Sequence, residues 1–315
     1  MCYEVRMDEE MRDTSPVSEQ DAPGRVPIKF DRNARLLGVQ GVEKLAASHV
    51  VVFGLGGVGS YAAEGLARSG VGRLTLVDFD DVCVTNINRQ MHALPRTVGQ
   101  SKARLMAERI EAINPAADVR GIKAFYDRDS SASLLDPIPD YVVDGIDNIT
   151  AKLHLIATCL ARGIPIVTCL GASAKVDPTR VRIASLADTH TDPLARAVRR
   201  TIQMKHGIAE ARLEAVIAVF SDEEPTLPDA DYRSGLCGEA CVCPGKDNAR
   251  HTCQKRHVVY GSAVFVTSVF GMAAASVVVR RLTGRFPVSL DGYIIRERRL
   301  KKSARRRGER IGQPG

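Results

Sequence analysis

The chain has 315 residues, enough for one large domain or two modest ones, and its 44% hydrophobic and 26% charged residues exclude a fibrous or wholly disordered protein. The formal charge of +7 is unevenly placed: residues 1–24 carry seven acids against Arg6 and Arg12, whereas residues 296–310 carry nine bases against two acids. Eight cysteines without dense regular spacing, behind an acidic and polar start, exclude a secreted disulfide scaffold and predict a reducing, cytoplasmic setting.

Residues 1–27 read as a disordered acidic head, because little apolar surface is available to order them. Residues 30–47 read as a helical lead-in. An apolar strand, Val50 to Phe53, then meets the glycines Gly54, Gly56, Gly57 and Gly59 and a helix of small residues. A second strand over 73–77 delivers Asp78, nineteen residues after Gly59. This is a strand, glycine loop, helix, strand and acid in the order that holds a nucleotide. The loop Asn86-Ile-Asn-Arg-Gln90 follows it. Residues 102–114 carry Leu105, Met106, Ile110 and Ile113 on one helical face and stop at Asn114-Pro115.

Short strands are predicted over 119–123 and 141–143, the latter leading to Asp144 and Asp147 and then to a helix ending near Arg162. Further strands are expected over 165–170 and 181–185. Residues 192–205 form a basic helix with Arg196, Arg199 and Arg200 on one face. The alternation predicts an α/β, Rossmann-like fold: a mostly parallel sheet with helices on both faces and ligands beyond the carboxyl ends of its strands. Residues 258–279 carry no charge over 22 positions, which is long enough to span a bilayer. A buried helix of a large core is the favoured reading, and a membrane-associated chain is the alternative.

The glycines permit positive φ and close approach of backbone to phosphate, and the following helix presents free N–H groups. Asp78 suits a ribose cis-diol, while Asp80 and Asp81 read as loop and helix-cap acids. Arg89 and Lys102 are fixed positive charges suited to a triphosphate whose β,γ portion must leave. Asp147 is a candidate magnesium ligand together with phosphate oxygens, or else a helix cap. Cys237, Cys241, Cys243 and Cys253, in an insert over 236–254, have the number but not the usual spacing of a zinc site, so a reduced loop is equally open. The basic segment after residue 285 reads either as a solvated charge run or as a contact to nucleic-acid phosphates.

GLGGVG, LVDFDDVCVTNINRQ and VVDGIDN resemble the ATP-binding signatures of the ubiquitin-activating-enzyme-like superfamily, which adenylates carboxylates. FDRNARLLG, residues 30–38, resembles that superfamily's N-terminal motif. The resemblance implies a homodimer in which Arg32, with Arg35 as second candidate, reaches the partner subunit's ATP. It also implies Gly54, Gly56, Gly57, Gly59 and Asn86 around the nucleotide, Asp78 on ribose, Arg89 and Lys102 on the triphosphate, and Asp147 on magnesium. NRQMHAL and VDPTRVRIASLADTHTDPLARAVRR, residues 176–200, are similar to the tRNA threonylcarbamoyladenosine dehydratase branch, over about 30–282. That branch implies an ATP-dependent cyclisation on tRNA through an acyl-adenylate, with residues 28–284 as the adenylation domain and 285–315 as a basic disordered tail.

Three other readings compete. A dehydrogenase using NAD would explain the glycine loop and Asp78, but it leaves Arg89, Lys102 and Asp147 without a task. An activator of a ubiquitin-like sulfur carrier would need a protein partner for sulfur transfer and a transfer cysteine, for which Cys169 and the 237–253 cluster are the candidates. A nucleic-acid-binding module would act through the basic tail.

Overall fold

The structure is a computed structural model that describes residues 26–229 and 260–285. The acidic head, the cysteines Cys237, Cys241, Cys243 and Cys253, and the basic tail lie outside the described residues.

Seven strands form one sheet in the order β3-β2-β1-β4-β5-β7-β6. They are β1 (His49–Phe53), β2 (Arg73–Val77), β3 (Asp118–Ile122), β4 (Tyr141–Asp144), β5 (Ile166–Cys169), β6 (Val181–Ser185) and β7 (Ile217–Ser221). All neighbours run parallel except β6, which pairs antiparallel to β7 at one edge. The strands β1, β4, β5 and β7 are buried along their whole length, as expected of a sheet covered on both faces.

Helices α1 (Asp31–Leu37), α2 (Val39–Ala47), α3 (Gly59–Arg68) and α4 (Lys102–Ile113) cover one face together with α9 (Val264–Thr283). The short α5 (Ser131–Leu134), α6 (Ile149–Arg162), α7 (Pro193–His206) and the short α8 (Glu210–Leu213) cover the other. The lead-in is broken at Gly38, whose φ of 78° is open to glycine and strained for other residues, so two helices replace the one expected. Strand β7 was not foreseen: IAVFS is a continuous apolar run with no alternation to mark it.

The apolar run over 258–279 folds into α9. It is long and apolar enough to cross a membrane, yet 50% of its most apolar window is buried within the fold. Its contact with α3 is made by small residues. A Cβ on Gly271 would fall 2.3 Å from the carbonyl oxygen of Val58, and one on Gly65 would fall 2.9 Å from the Cβ of Ala275. Val266, Phe270, Ala274, Val277 and Val278 are buried in the same core, while Phe265, Val269 and Met272 face outward.

The chain order reverses between β1 and β4, so the loops after these two strands diverge to opposite sides of the sheet and leave a crevice at their carboxyl ends.

Candidate functional site

The glycine loop divides its labour. Gly54 has φ 79° and sits so close to the loop after β4 that a Cβ would lie 2.7 Å from the Gly145 carbonyl carbon. At Gly59 a Cβ would lie 1.8 Å from the Gly54 oxygen. These two glycines close the turn and seat α3 against β1. Gly56 is open, its nearest neighbour being the Gln90 amide at 3.8 Å from a built Cβ, and Gly57 lies under the backbone of Arg89. Gly56 therefore leaves room for a phosphate to approach the backbone beside the N-terminus of α3.

Asp78 ends β2 and is buried. Its Oδ2 accepts from the Leu55 N–H at 2.6 Å and its Oδ1 from the Asp80 N–H at 2.8 Å. The carboxylate thus braces the glycine loop, and each oxygen retains a second lone pair for a diol. Burial raises its pKa, against the opposing pull of Lys102.

Lys102 opens α4, where the Ser101 side chain is the N-cap. Its Nζ bonds the Asp80 carboxylate at 2.8 Å. Burial alone would lower its pKa, but the charges of Asp78, Asp80 and Asp147 outweigh it and hold the ammonium charged. Asp80 is therefore the partner of Lys102, and Asp81 pairs with Lys123 at 2.6 Å; neither caps a helix. The N-cap of α6 is Asn148, whose side chain accepts from the Ala151 N–H at 3.0 Å, so Asp147 stands one residue ahead of the cap.

The Asn86–Gln90 loop is organised by Asn86. Its side-chain oxygen accepts from the Cys83 N–H at 3.0 Å, and its carbonyl accepts from the Arg89 and Gln90 N–H groups. Arg89 Nη1 donates to the Thr85 carbonyl and to Asn88 Oδ1, both at 2.9 Å. Asn88 Nδ2 in turn donates to the Ser262 carbonyl at 2.9 Å, tying this loop to the segment that leads into α9.

Arg32 is not brought to this cluster within one chain. The adjacent Asn33 donates to the Arg68 carbonyl at 2.8 Å, so α1 sits at the far end of α3. The ten residues of α3 span about 15 Å, and the glycine loop lies at the other end. Arg35 pairs with Asp31 at 2.7 Å on the surface. Cys169 is 3% exposed, and burial pushes its thiol up to about 12, which makes it inert as a transfer nucleophile.

Four buried polar residues here, Lys152, Asp144, Gln90 and His92, have no role legible in the sequence. Lys152 and Asp144 are fully buried and bond at 2.7 Å; Asp144 also accepts from Thr168 Oγ1 at 2.6 Å and from the Ile146 N–H at 3.0 Å. This pair anchors the loop that carries Asp147. Gln90 Oε1 and both ring nitrogens of His92 are buried without hydrogen-bond partners. The only signal for them was their place in the NRQMH run, since a buried polar side chain leaves no hydrophobic periodicity.

Burial, with the nearby charges of Lys102 and Arg109, pushes His92 down to about 3. Its folded pKa lies below the unfolded value of about 6.5, so the unfolded state binds more protons between these limits and stability falls as pH drops. At pH 4.5 the expected loss from this residue is about 2–3 kcal/mol relative to pH 7. Urea midpoints at the two pH values should therefore differ less for His92→Gln than for the wild type.

Among the described residues no group of three or more His, Cys, Asp or Glu side chains is arranged to hold a metal ion. The Asp147 carboxylate fits magnesium shared with phosphate oxygens, since that ion is seldom held by protein ligands alone.

A family model described as the ThiF family matches residues 30–307. The chain is 44% identical over 254 residues to the tRNA threonylcarbamoyladenosine dehydratase of Bacillus subtilis, covering 81% of this chain and 94% of that one. It is 39% identical over 260 residues to the Escherichia coli enzyme of that name, covering 82% and 94%. The crystal structure of the E. coli dehydratase in complex with ATP superposes with a TM-score of 0.69 at 37% identity, covering 82% of this chain and 94% of that one. A nucleotide crevice at the reversal of strand order, and a match over most of the chain, lead to one conclusion: the chain belongs to the ThiF family.

Proposed function

We propose that this protein is an ATP-dependent tRNA threonylcarbamoyladenosine dehydratase. The observation that carries the reading is the grouping of Lys102 with the charges of Asp78, Asp80 and Asp147, beside a glycine loop that Asp78 braces and the Arg89 loop covers. A dehydrogenase site would need only the glycines and the acid, and the B. subtilis and E. coli relatives bear the dehydratase name.

In this reading the threonine carboxylate of the modified adenosine attacks the α-phosphorus of ATP and pyrophosphate leaves. The carbamoyl group of the same nucleoside then attacks the acyl carbon, loses a proton and expels AMP, closing a ring. The second nucleophile is already tethered, so proximity supplies much of the rate and no protein nucleophile is needed. Asp78 holds the ribose, and Lys102 and Arg89 offset the charge that develops on the departing pyrophosphate. Asp147 would hold magnesium, which supplies further charge neutralisation on the phosphates.

We further propose a homodimer. The position of Arg32 a helix length from its own glycine loop supports a role in the partner subunit's site. The outward apolar residues Phe265, Val269 and Met272 on α9 support a protein contact there rather than a bilayer. Cys83, Cys159 and Cys169, which are in no disulfide, support a cytoplasmic location. Zinc on the 237–253 cysteines rests on thiolate number alone, and metal analysis of the purified chain tests it.

Nucleotide product analysis tests the central reading. AMP and pyrophosphate should form in equal amounts, and only when tRNA bearing the modified adenosine is present. Formation of ADP, or turnover with NAD and no ATP, would exclude an adenylating mechanism.

A further inference from the structure

A cavity of about 680 Å³ opens to solvent on the α5–α6 face, lined among others by Arg128, Ser131, Ser133, Asp136, His154 and Arg162. It lies outside the nucleotide crevice but is joined to it by one loop. Ile122, at the end of β3, accepts the backbone N–H of Asp78, and the next residue, Lys123, pairs with Asp81. Five residues further on, the same loop brings Arg128 to the cavity.

The lining is built rather than incidental. Arg162 donates to the Leu135 carbonyl at 3.4 Å, which holds its guanidinium at the lip. His154 Nδ1 lies 3.2 Å from the Tyr126 hydroxyl, which lies 2.9 Å from Ser131 Oγ. The His206 ring of α7 stands 6.5 Å from that of His154. From His154 to Arg162 the wall extends along α6 for about 12 Å.

Guanidinium groups are donors matched to phosphate oxygens. Ala132 is the single apolar side chain in the lining, and His154 supplies its single ring. Arginine contacts to phosphates position a nucleic acid without reading its sequence. The Asp136 carboxylate offsets one positive charge and favours a singly charged phosphodiester over a free phosphate dianion.

We propose that this cavity is a subsite for the phosphodiester backbone of the substrate tRNA, flanking the modified nucleoside held at the crevice. The assignment rests on the tRNA reading above. It extends the substrate contact from the ribose acid, along the 123–130 loop, to the outer face of α6.

The test compares wild type with an Arg128→Gln/Arg162→Gln double variant, which keeps side-chain length and removes two surface charges. At moderate salt the variant should bind the modified tRNA about tenfold more weakly, and the slope of log K against log salt should shrink by about 1.4, the release expected for two single-strand phosphate contacts. Its affinity for ATP should be unchanged. If wild type binds and dehydrates tRNA and the variant matches it in affinity and slope, this subsite is wrong while the enzyme reading stands. If wild type itself neither binds nor dehydrates tRNA, both fall. Loss of inorganic phosphate binding in the variant with tRNA affinity unaltered would also overturn the assignment, by giving the cavity to a free anion.

Discussion

Arg89→Ala is expected to slow tRNA-dependent pyrophosphate release by about a hundredfold to a thousandfold, the range for removing one preorganised donor from a developing charge. The guanidinium is tethered through Nη1 to Thr85 and Asn88, and the Arg89 backbone overlies Gly57. Alanine removes the charge and these two exposed hydrogen bonds but keeps the backbone cover and the Asn86 bonds that set the loop's shape. The urea midpoint should therefore move little, because the side chain is on an exposed loop. The loss should fall on kcat rather than on the KM for ATP, since the interaction strengthens as the leaving group gains charge. Folded Arg89→Ala protein that releases pyrophosphate at the wild-type rate would remove this residue from the mechanism. A mixture with Arg32→Ala chains should regain activity, because a mixed dimer holds one site with both arginines; no regain would argue against a role in the partner's site.

Lys152→Ala is expected to destabilise the fold by about 3–5 kcal/mol, the usual result of leaving a buried charge without its partner. That is a large share of the roughly 5–15 kcal/mol that holds a domain together. Lys152 also donates to Thr168 Oγ1 at 3.2 Å and to the Cys169 carbonyl at 2.9 Å, so the truncation leaves several groups at the ends of β4 and β5 without a donor. The effect reaches the site through Ile146, whose N–H bonds Asp144 and which lies 2.9 Å from a Cβ built on Gly54. The double variant Asp144→Asn/Lys152→Met removes both charges and should lose less than Lys152→Ala alone. Denaturant unfolding of the three proteins measures this; equal midpoints for wild type and Lys152→Ala would show that the pair contributes nothing.

The first half of the fold was legible because a parallel strand, a glycine turn and a helix each leave their own local pattern. The loss of pattern begins where burial is complete. Strand β7 has no polar face to alternate with, and β6 turns antiparallel at an edge that only tertiary pairing defines. Gly54, Gly56, Gly57 and Gly59 look alike in sequence, but only the backbone contacts of Gly54 with Gly145 and of Gly59 with Gly54 mark the pair that closes the turn, and only Gly56 is left open. Lys152 sits among Leu153, Leu155 and Ile156 in α6, where a lysine reads as the solvent face; its burial follows from Asp144 across the β4–α6 turn. Asp80 reads as a loop acid in sequence because nothing in the 22-residue separation marks its bond to Lys102. Arg32 shows the limit in the other direction, since its proposed target lies in a second chain.

Nucleoside mass spectrometry of tRNA incubated with the protein, ATP and magnesium tests the account most directly. Threonylcarbamoyladenosine should disappear in step with a nucleoside lighter by one water, and only when ATP is present. An unchanged nucleoside beside steady AMP release would show that the chain adenylates some other carboxylate, and would contradict the central claim.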